Sequence, residues 1–148
     1  MDLKPPEVHL WLTLDRVYTI LSRRIAGKLA EVGLTSPQYR VLRLLSDHGP
    51  LSPNTLAERL GVTPGNLTGI LDRLESAGHL HRTREAGDRR SVRVQITPQG
   101  TDLMRVAVPD VRDHVRTLFS TLTPEELQHT QALLERLEHH LSPTEVTA

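Results

Sequence analysis

The helix predicted for residues 63–78, TPGNLTGILDRLESAG, constrains the fold of this chain more than any other stretch. Thr63 is a suitable N-cap, Pro64 suits the first helical position, and Gly78 suits the position just past the end. Apolar residues recur there at steps of three and four and form one stripe, made of Leu67, Ile70, Leu71 and Leu74. One face of the helix is therefore expected to enter a core.

The opposite face of this helix is small and polar. It carries Gly65, Thr68, Gly69, Asp72, Arg73 and Ser76, with Asn66 at its edge. A glycine inside a helix costs about 1 kcal/mol relative to alanine, so a helix that faces only solvent gains nothing from having two. We interpret this face as one that approaches another surface closely, and we take that surface to be the major groove of DNA.

Charge is unevenly distributed along the chain. The 148 residues have no net formal charge, which argues against a protein that coats nucleic acid without selectivity. From residue 59 to residue 93, however, seven arginines (59, 73, 82, 84, 89, 90 and 93) stand against four acids (72, 75, 85 and 88), so this segment is +3 and the remainder −3. A local basic patch is the expected footprint of a phosphate-binding surface.

The composition gives no support to membrane or redox functions. No cysteine is present, so neither a disulfide nor a thiol switch is possible. No apolar run approaches the roughly 20 residues of a membrane helix, and no secretory signal opens the sequence. A cytoplasmic protein without a membrane partner is expected.

Two shorter helices precede the central one. Each opens on a Ser-Pro pair, with Ser36 and Ser52 as the expected N-caps. A tight turn at residues 61–62 separates the second of them from Thr63. Helix, short glycine-containing turn and helix is the spacing of a helix-turn-helix.

A β-hairpin is predicted directly after the central helix. Residues 79–84 and 91–96 have strand character, and apolar and polar residues alternate in the second run. The loop between them is polar and places Asp88, Arg89 and Arg90 at its tip. Such a "wing" suits a narrow minor groove, where the negative potential is enhanced.

Long helices are predicted at both ends of the chain, over residues 7–31, 98–122 and 123–141, and Pro109 should kink or split the second. Their apolar stripes need one another, and the wide apolar face of the first helix favours a partner helix from a second chain over an intramolecular core. The expected fold is mainly α with a small β-hairpin, a winged helix-turn-helix with N- and C-terminal dimerisation helices. Residues 35–97 would bind DNA, residues 1–34 and 98–141 would form the helical dimerisation layer, and residues 142–148 would be a flexible tail.

The chain resembles the MarR (multiple antibiotic resistance regulator) family of winged-helix transcription factors. The resemblance covers nearly the whole chain and is sharpest over Val62–Gly100, within which Asp88–Gly100, DRRSVRVQITPQG, is the most family-specific string. It implies a homodimer, a palindromic DNA operator, and repression that a small ligand relieves. It also implies that Asp88 orients Arg90, which enters the minor groove.

Candidate DNA contacts follow from the predicted helices. Thr63, Asn66 and Thr68 are placed to reach base edges, and Arg73 to reach phosphate. The complete set of predicted DNA-binding residues is Ser36, Ser52, Thr63, Pro64, Gly65, Asn66, Thr68, Gly69, Arg73, Asp88, Arg89 and Arg90. Ser36 and Ser52 belong to it because a helix N-terminus binds phosphate.

The resemblance also implies an effector, often a small aromatic or phenolic acid, that binds between the helical layer and the winged unit. Trp11, Tyr18 and Tyr39 could line such a pocket, although Trp11 is equally suited to a dimer core.

Other functions have weaker signals. His79 and His81 lie on one face of a predicted strand, a spacing that can chelate, so a metal-responsive regulator of the same fold is an alternative. No helical H-x3-H pair accompanies them, and we expect neither a metal nor a cofactor. An architectural protein that binds DNA without sequence preference is a further alternative. No nucleophile elbow, phosphate-binding loop or dinucleotide turn occurs, so an enzyme is not expected.

Overall fold

A computed structural model describes residues 5–84 and 92–142 of the chain. In order, the elements are α1 (Pro6–Ala30), α2 (Ser36–His48), α3 (Pro53–Leu60), α4 (Pro64–Ser76), β1 (Leu80–Arg84), β2 (Val92–Ile96), α5 (Pro98–Leu118) and α6 (Pro124–Leu141). The predicted fold class, mainly α with one hairpin, is confirmed. Within the described ranges, no helix is long and apolar enough to cross a membrane.

The core of the winged unit is built from aliphatic side chains of α2, α3, α4 and the hairpin. Its members include Val41, Leu42, Leu45, Leu56, Leu67, Leu71, Leu74, Leu80 and Val94, all at most 2% exposed. All four residues of the predicted stripe on α4 are buried. The period of the apolar residues thus identified the inward face of this helix correctly.

The two strands pair antiparallel, with Leu80 opposite Ile96 and Arg84 opposite Val92. Leu51, in the link between α2 and α3, forms a bridge to Val94 through two backbone hydrogen bonds of 3.1 and 2.8 Å. A single residue gives too short a pattern for a strand to be predicted. The bridge ties the start of α3 to the wing.

Helix N-termini are capped by hydroxyl side chains, with one correction to the prediction. The cap of α2 is Thr35, whose hydroxyl accepts from the backbone N–H of Gln38, while the Gln38 side chain accepts from the N–H of Thr35. Ser36 is therefore the first helical residue and was wrongly predicted as the N-cap. A Thr-x-x-Gln capping box satisfies two backbone donors, and the adjacent Ser-Pro pair concealed it.

The helix α5 runs from Pro98 to Leu118 with Pro109 inside it. The proline does not split the helix, and the kink that we expected as the alternative stays a prediction. A proline removes one intrahelical hydrogen bond, and the remaining bonds keep α5 a single element.

The contacts divide the described chain into two units, with the boundary between His114 and Val115. In the first unit, α1 has a single buried residue, Leu29, and its Lys28 ammonium lies 3.5 Å from the Asp110 carboxylate of α5. In the second unit, α6 has no buried residue at all.

Candidate nucleic-acid interface

The helix α4 presents to solvent the face that the sequence predicted. Thr63 caps the helix by accepting the backbone N–H of Asn66, as expected, and Pro64 occupies the first turn. Thr63, Pro64, Gly65, Asn66, Thr68 and Arg73 are exposed, and Gly69 is half-buried. The predicted members of this face therefore lie together on one side of a helix whose other side is anchored in the core.

No backbone conformation and no contact within the described chain requires glycine at the two glycine positions of this face. Neither has a positive φ, and a Cβ built on Gly65 or Gly69 would meet no atom within 4 Å. Alanine would fit at both positions and would favour the helix by roughly 0.5–1 kcal/mol each. The cost of the glycines is consistent with close approach by something outside the chain.

A groove of about 440 Å³ runs beside these glycines. Its walls include Pro37, Arg40, Asn66 and Arg73. The Arg40 guanidinium donates a hydrogen bond of 3.2 Å to the carbonyl oxygen of Leu60, which connects α2 to the end of α3. Sequence reasoning missed Arg40, because nothing in the periodicity of α2 distinguishes it from other exposed arginines.

Thr68 is partly occupied by its own helix. Its hydroxyl donates to the carbonyl oxygen of Pro64 at 3.0 Å, which leaves the oxygen as an acceptor and the methyl group as an apolar contact. A methyl group and an acceptor suit the thymine methyl and the adenine or cytosine amino group of the major groove.

An ion-pair cluster that the sequence did not reveal joins α4 to the wing. Arg82 of β1 donates from Nη1 to the Glu75 carboxylate at 2.8 Å and from Nη2 to the Asp72 carboxylate at 2.7 Å. Its backbone N–H also donates to Glu75 at 2.9 Å. Asp72, which we placed on the DNA-facing side of the helix, is thereby paired with an arginine of the hairpin.

The family-specific string ends in a structural clamp. The Thr97 hydroxyl donates to the carbonyl oxygen of Gly78 at 2.6 Å and accepts from the backbone N–H of Gly100 at 3.0 Å. A Cβ on Gly100 would lie 2.1 Å from the carbonyl oxygen of His79. Threonine and glycine are thus required where the end of α4, the hairpin and α5 meet, and their role there is packing.

Of the five other residues that we predicted to contact DNA, the structure describes two. Ser36 and Ser52 both lie half-buried in the first turn or at the cap of a helix, and the Ser52 hydroxyl oxygen accepts the backbone N–H of Thr55. Asp88, Arg89 and Arg90 lie outside the described residues, so their roles stay predictions.

The three aromatic residues predicted to line a ligand pocket differ in exposure. Trp11 and Tyr18, two turns apart on α1, are 65% and 72% exposed, whereas Tyr39 on α2 is half-buried. Burial raises the pKa of Tyr39, and its phenol, protonated at neutral pH as any tyrosine is, can donate a hydrogen bond. The assignment of these three residues to an effector-binding pocket stays a prediction.

The histidines form no recognisable metal site in the part of the chain that is described. No group of three or more metal-ligating residues occurs among residues 5–84 and 92–142. The Nδ1 atom of His79 is buried without a hydrogen-bond partner.

Comparison with known proteins agrees with this architecture. The model of the MarR family matches residues 34–92, from just before α2 to the first residue of β2. The transcriptional regulator PecS of Dickeya dadantii is 35% identical over 132 residues, which cover 87% of this chain and 80% of PecS.

Two solved structures relate the fold to binding. A mutant of MarR from Escherichia coli in complex with operator DNA is 28% identical, with a TM-score of 0.83, and the match covers 93% of this chain and 99% of that one. Bordetella bronchiseptica BpsR, whose DNA binding is regulated by 6-hydroxynicotinic acid, is 25% identical, with a TM-score of 0.80, over 88% of this chain and 98% of BpsR. The chain belongs to the MarR family of winged-helix, DNA-binding transcription regulators.

Proposed function

We propose that this protein is a homodimeric repressor that binds a palindromic operator and is released from it by a small aromatic or phenolic ligand. The observation that carries the DNA-binding part is the outward face of α4. It combines exposed Thr63, Asn66 and Thr68 with two glycines that no internal contact requires. A helix with such a face can lie deep in a major groove, where its side chains reach base edges.

Roles for individual residues follow from their positions. Asn66 and Thr68 read base edges, with Thr63 and Pro64 beside them at the start of α4, and Arg73 binds phosphate from the flank. The backbone N–H groups at the starts of α2 and α3, near Ser36 and Ser52, bind phosphate through the partial positive charge of a helix N-terminus. By resemblance to the family, Asp88 orients Arg90 toward the minor groove and Arg89 adds positive charge.

The second unit supports the proposal of a homodimer. Leu127, Leu134 and Leu137 of α6 are 38–44% exposed. Leu127 and Leu134 line an apolar groove of about 700 Å³ against the end of α5, together with Phe119 and Leu122. Exposed aliphatic residues in this number mark an interaction surface. A two-fold dimer would present two α4 helices to half-sites about 10 base pairs apart.

The effector is proposed by analogy with BpsR, whose DNA binding responds to an aromatic acid. Half-buried Tyr39 is the best-placed of our three candidates to donate a hydrogen bond to such a ligand. Exposed Trp11 and Tyr18 are equally suited to contact a second protomer.

The experiment that tests the proposal is a DNA-binding titration at two salt concentrations. The probes are a duplex from the region upstream of the protein's own gene and a scrambled duplex of equal length. We expect tight binding to the upstream duplex only, with two protomers per site. Equal, weak and steeply salt-dependent binding to both would contradict it, because only phosphate contacts lack sequence preference, and would favour an architectural role.

Alanine substitution of Asn66 tests the base-reading role. We expect Asn66→Ala to lose about 1–3 kcal/mol of discrimination between the two duplexes. Asn54, exposed on α3, provides a matched control, and Asn54→Ala should leave discrimination unchanged. If Asn66→Ala weakens binding to both duplexes equally, Asn66 touches only the DNA backbone.

A further inference from the structure

A cluster of three charged residues connects the DNA-facing helix to the wing, and the proposed contacts do not use it. Arg82 lies on β1, while Asp72 and Glu75 lie one turn apart on α4. The two guanidinium nitrogens of Arg82 each donate to a different carboxylate, at 2.7 and 2.8 Å. We propose that Arg82 is a positioning residue for DNA binding, which acts through Asp72 and Glu75 and not by touching DNA.

The geometry of the cluster is fixed by three hydrogen bonds. The Glu75 carboxylate accepts from both the backbone N–H and the side chain of Arg82, so the strand and the side chain are held together. A planar guanidinium that spans two carboxylates defines an orientation, which a lysine ammonium cannot do. The bridge therefore sets the angle at which β1 leaves the end of α4.

The cluster is less exposed than the Arg105–Asp102 pair of α5, and Arg82 is about as exposed as Lys28 in its pairs with Glu31 and Asp110. The Arg82 side chain is 28% exposed and its partners 58% and 37%, whereas the Arg105–Asp102 pair is 75% and 67% exposed. Exposed pairs contribute little to stability. A partly buried guanidinium that satisfies two acids is more strongly restrained, and its fork is directed at the protein.

Charge gives the cluster its relevance to DNA. Asp72 lies on the same side of α4 as Arg73 and would repel phosphate if it were unpaired. With Arg82 in place, the positive charges of Arg73 and Arg82 balance the negative charges of the two acids of the cluster. Arg82 thus keeps negative charge away from the phosphates in addition to orienting the wing strand.

This inference rests on the proposed function, and a mutant cycle tests it separately. Affinity for the upstream duplex is measured for the wild type, Arg82→Ala, the pair Asp72→Asn with Glu75→Gln, and the triple variant. We expect Arg82→Ala alone to weaken binding at least tenfold. In the background without the two carboxylates, Arg82→Ala should lower the affinity less than threefold, because the partners of Arg82 are already absent.

The outcomes separate the two hypotheses. If the wild type does not select the upstream duplex, the proposed function fails. If the wild type does select it, but Arg82→Ala costs equally in both backgrounds, Arg82 contacts DNA directly and the inference is overturned. An Arg82→Ala variant with unchanged affinity overturns it as well.

Two further variants control for folding and for loss of charge. Arg82→Lys keeps the charge but cannot span both carboxylates, so we expect an intermediate loss of affinity with an unchanged thermal midpoint. Should Arg82→Ala fail to fold, this variant decides, and wild-type affinity in Arg82→Lys would contradict the inference. Arg105→Ala removes an arginine from an exposed pair on α5, and it should bind as the wild type does.

Discussion

The helices α4 and α6 are both amphipathic, but only α4 has its apolar face buried by the rest of the described chain. On α4, Leu67, Leu71 and Leu74 are at most 2% exposed. On α6, no residue is buried, and Leu134 and Leu141 are 44% and 70% exposed. The apolar stripe that the sequence predicts for α6 is present, but no described residue of the chain buries it.

This contrast separates two sources of stability. The winged unit closes its core within one chain, so its folding should not depend on protein concentration. A helix with an exposed apolar face gains stability only when another surface covers it, and for a homodimer that gain depends on protomer concentration. Substitutions in the two helices should therefore have effects of different kinds.

The largest effect is expected from a charge placed in the groove of the second unit. Leu134 lines that groove, and in the proposed dimer Leu134→Glu would bury an unpaired carboxylate in the interface, which is strongly unfavourable. We expect a monomer at micromolar concentration, and a loss of operator affinity of at least 100-fold because two half-sites are no longer linked. Light scattering after size exclusion and the DNA titration measure both.

A matched control lies on the same helix. Gln128 is exposed, and Gln128→Glu adds the same charge without removing a leucine from the groove. This variant should stay dimeric. A dimeric Leu134→Glu variant would show that α6 is not the dimer contact, so that dimerisation would not explain the difference between α4 and α6.

The next largest effect is expected in the core of the winged unit. Leu74 is completely buried, and Leu→Ala changes at such sites cost about 2–5 kcal/mol through lost transfer energy and a residual cavity. Urea unfolding of Leu74→Ala should show this loss at every protein concentration. For Leu134→Ala, the urea midpoint should instead fall further on dilution than that of the wild type. Urea unfolding of both variants at several protein concentrations measures this difference, and the same concentration dependence in both would contradict it.

The sequence predicted these helices well because periodicity reports which face is apolar. It also predicted the caps at Thr63 and Ser52, each confirmed by a hydrogen bond from the backbone N–H three residues on. It placed the cap of α2 one residue late, at Ser36, because neighbouring threonine and serine both suit that position. Local patterns determine where a helix lies better than they determine its first residue.

The candidate site was only partly predictable. The outward face of α4 follows from its own wheel, so Asn66, Thr68 and the glycines were found. The Arg82 cluster joins residues seven and ten positions apart on different elements, and no helical or strand period connects them. Arg40 was missed for a similar reason, since its importance comes from the groove beside α4 and not from α2 itself.

The smallest effect concerns the glycines of α4. Gly69→Ala places a methyl group in open space, so we expect it to stabilise the fold by roughly 0.5–1 kcal/mol and, at the same time, to weaken operator binding several-fold. Gly100→Ala gives the opposite case, because its methyl group would collide with the carbonyl oxygen of His79 and should destabilise the protein. Thermal unfolding and the DNA titration distinguish the two glycines. If Gly69→Ala raised stability with no loss of affinity, DNA would not approach α4 at this residue, and the cost of the glycine would be without an explanation.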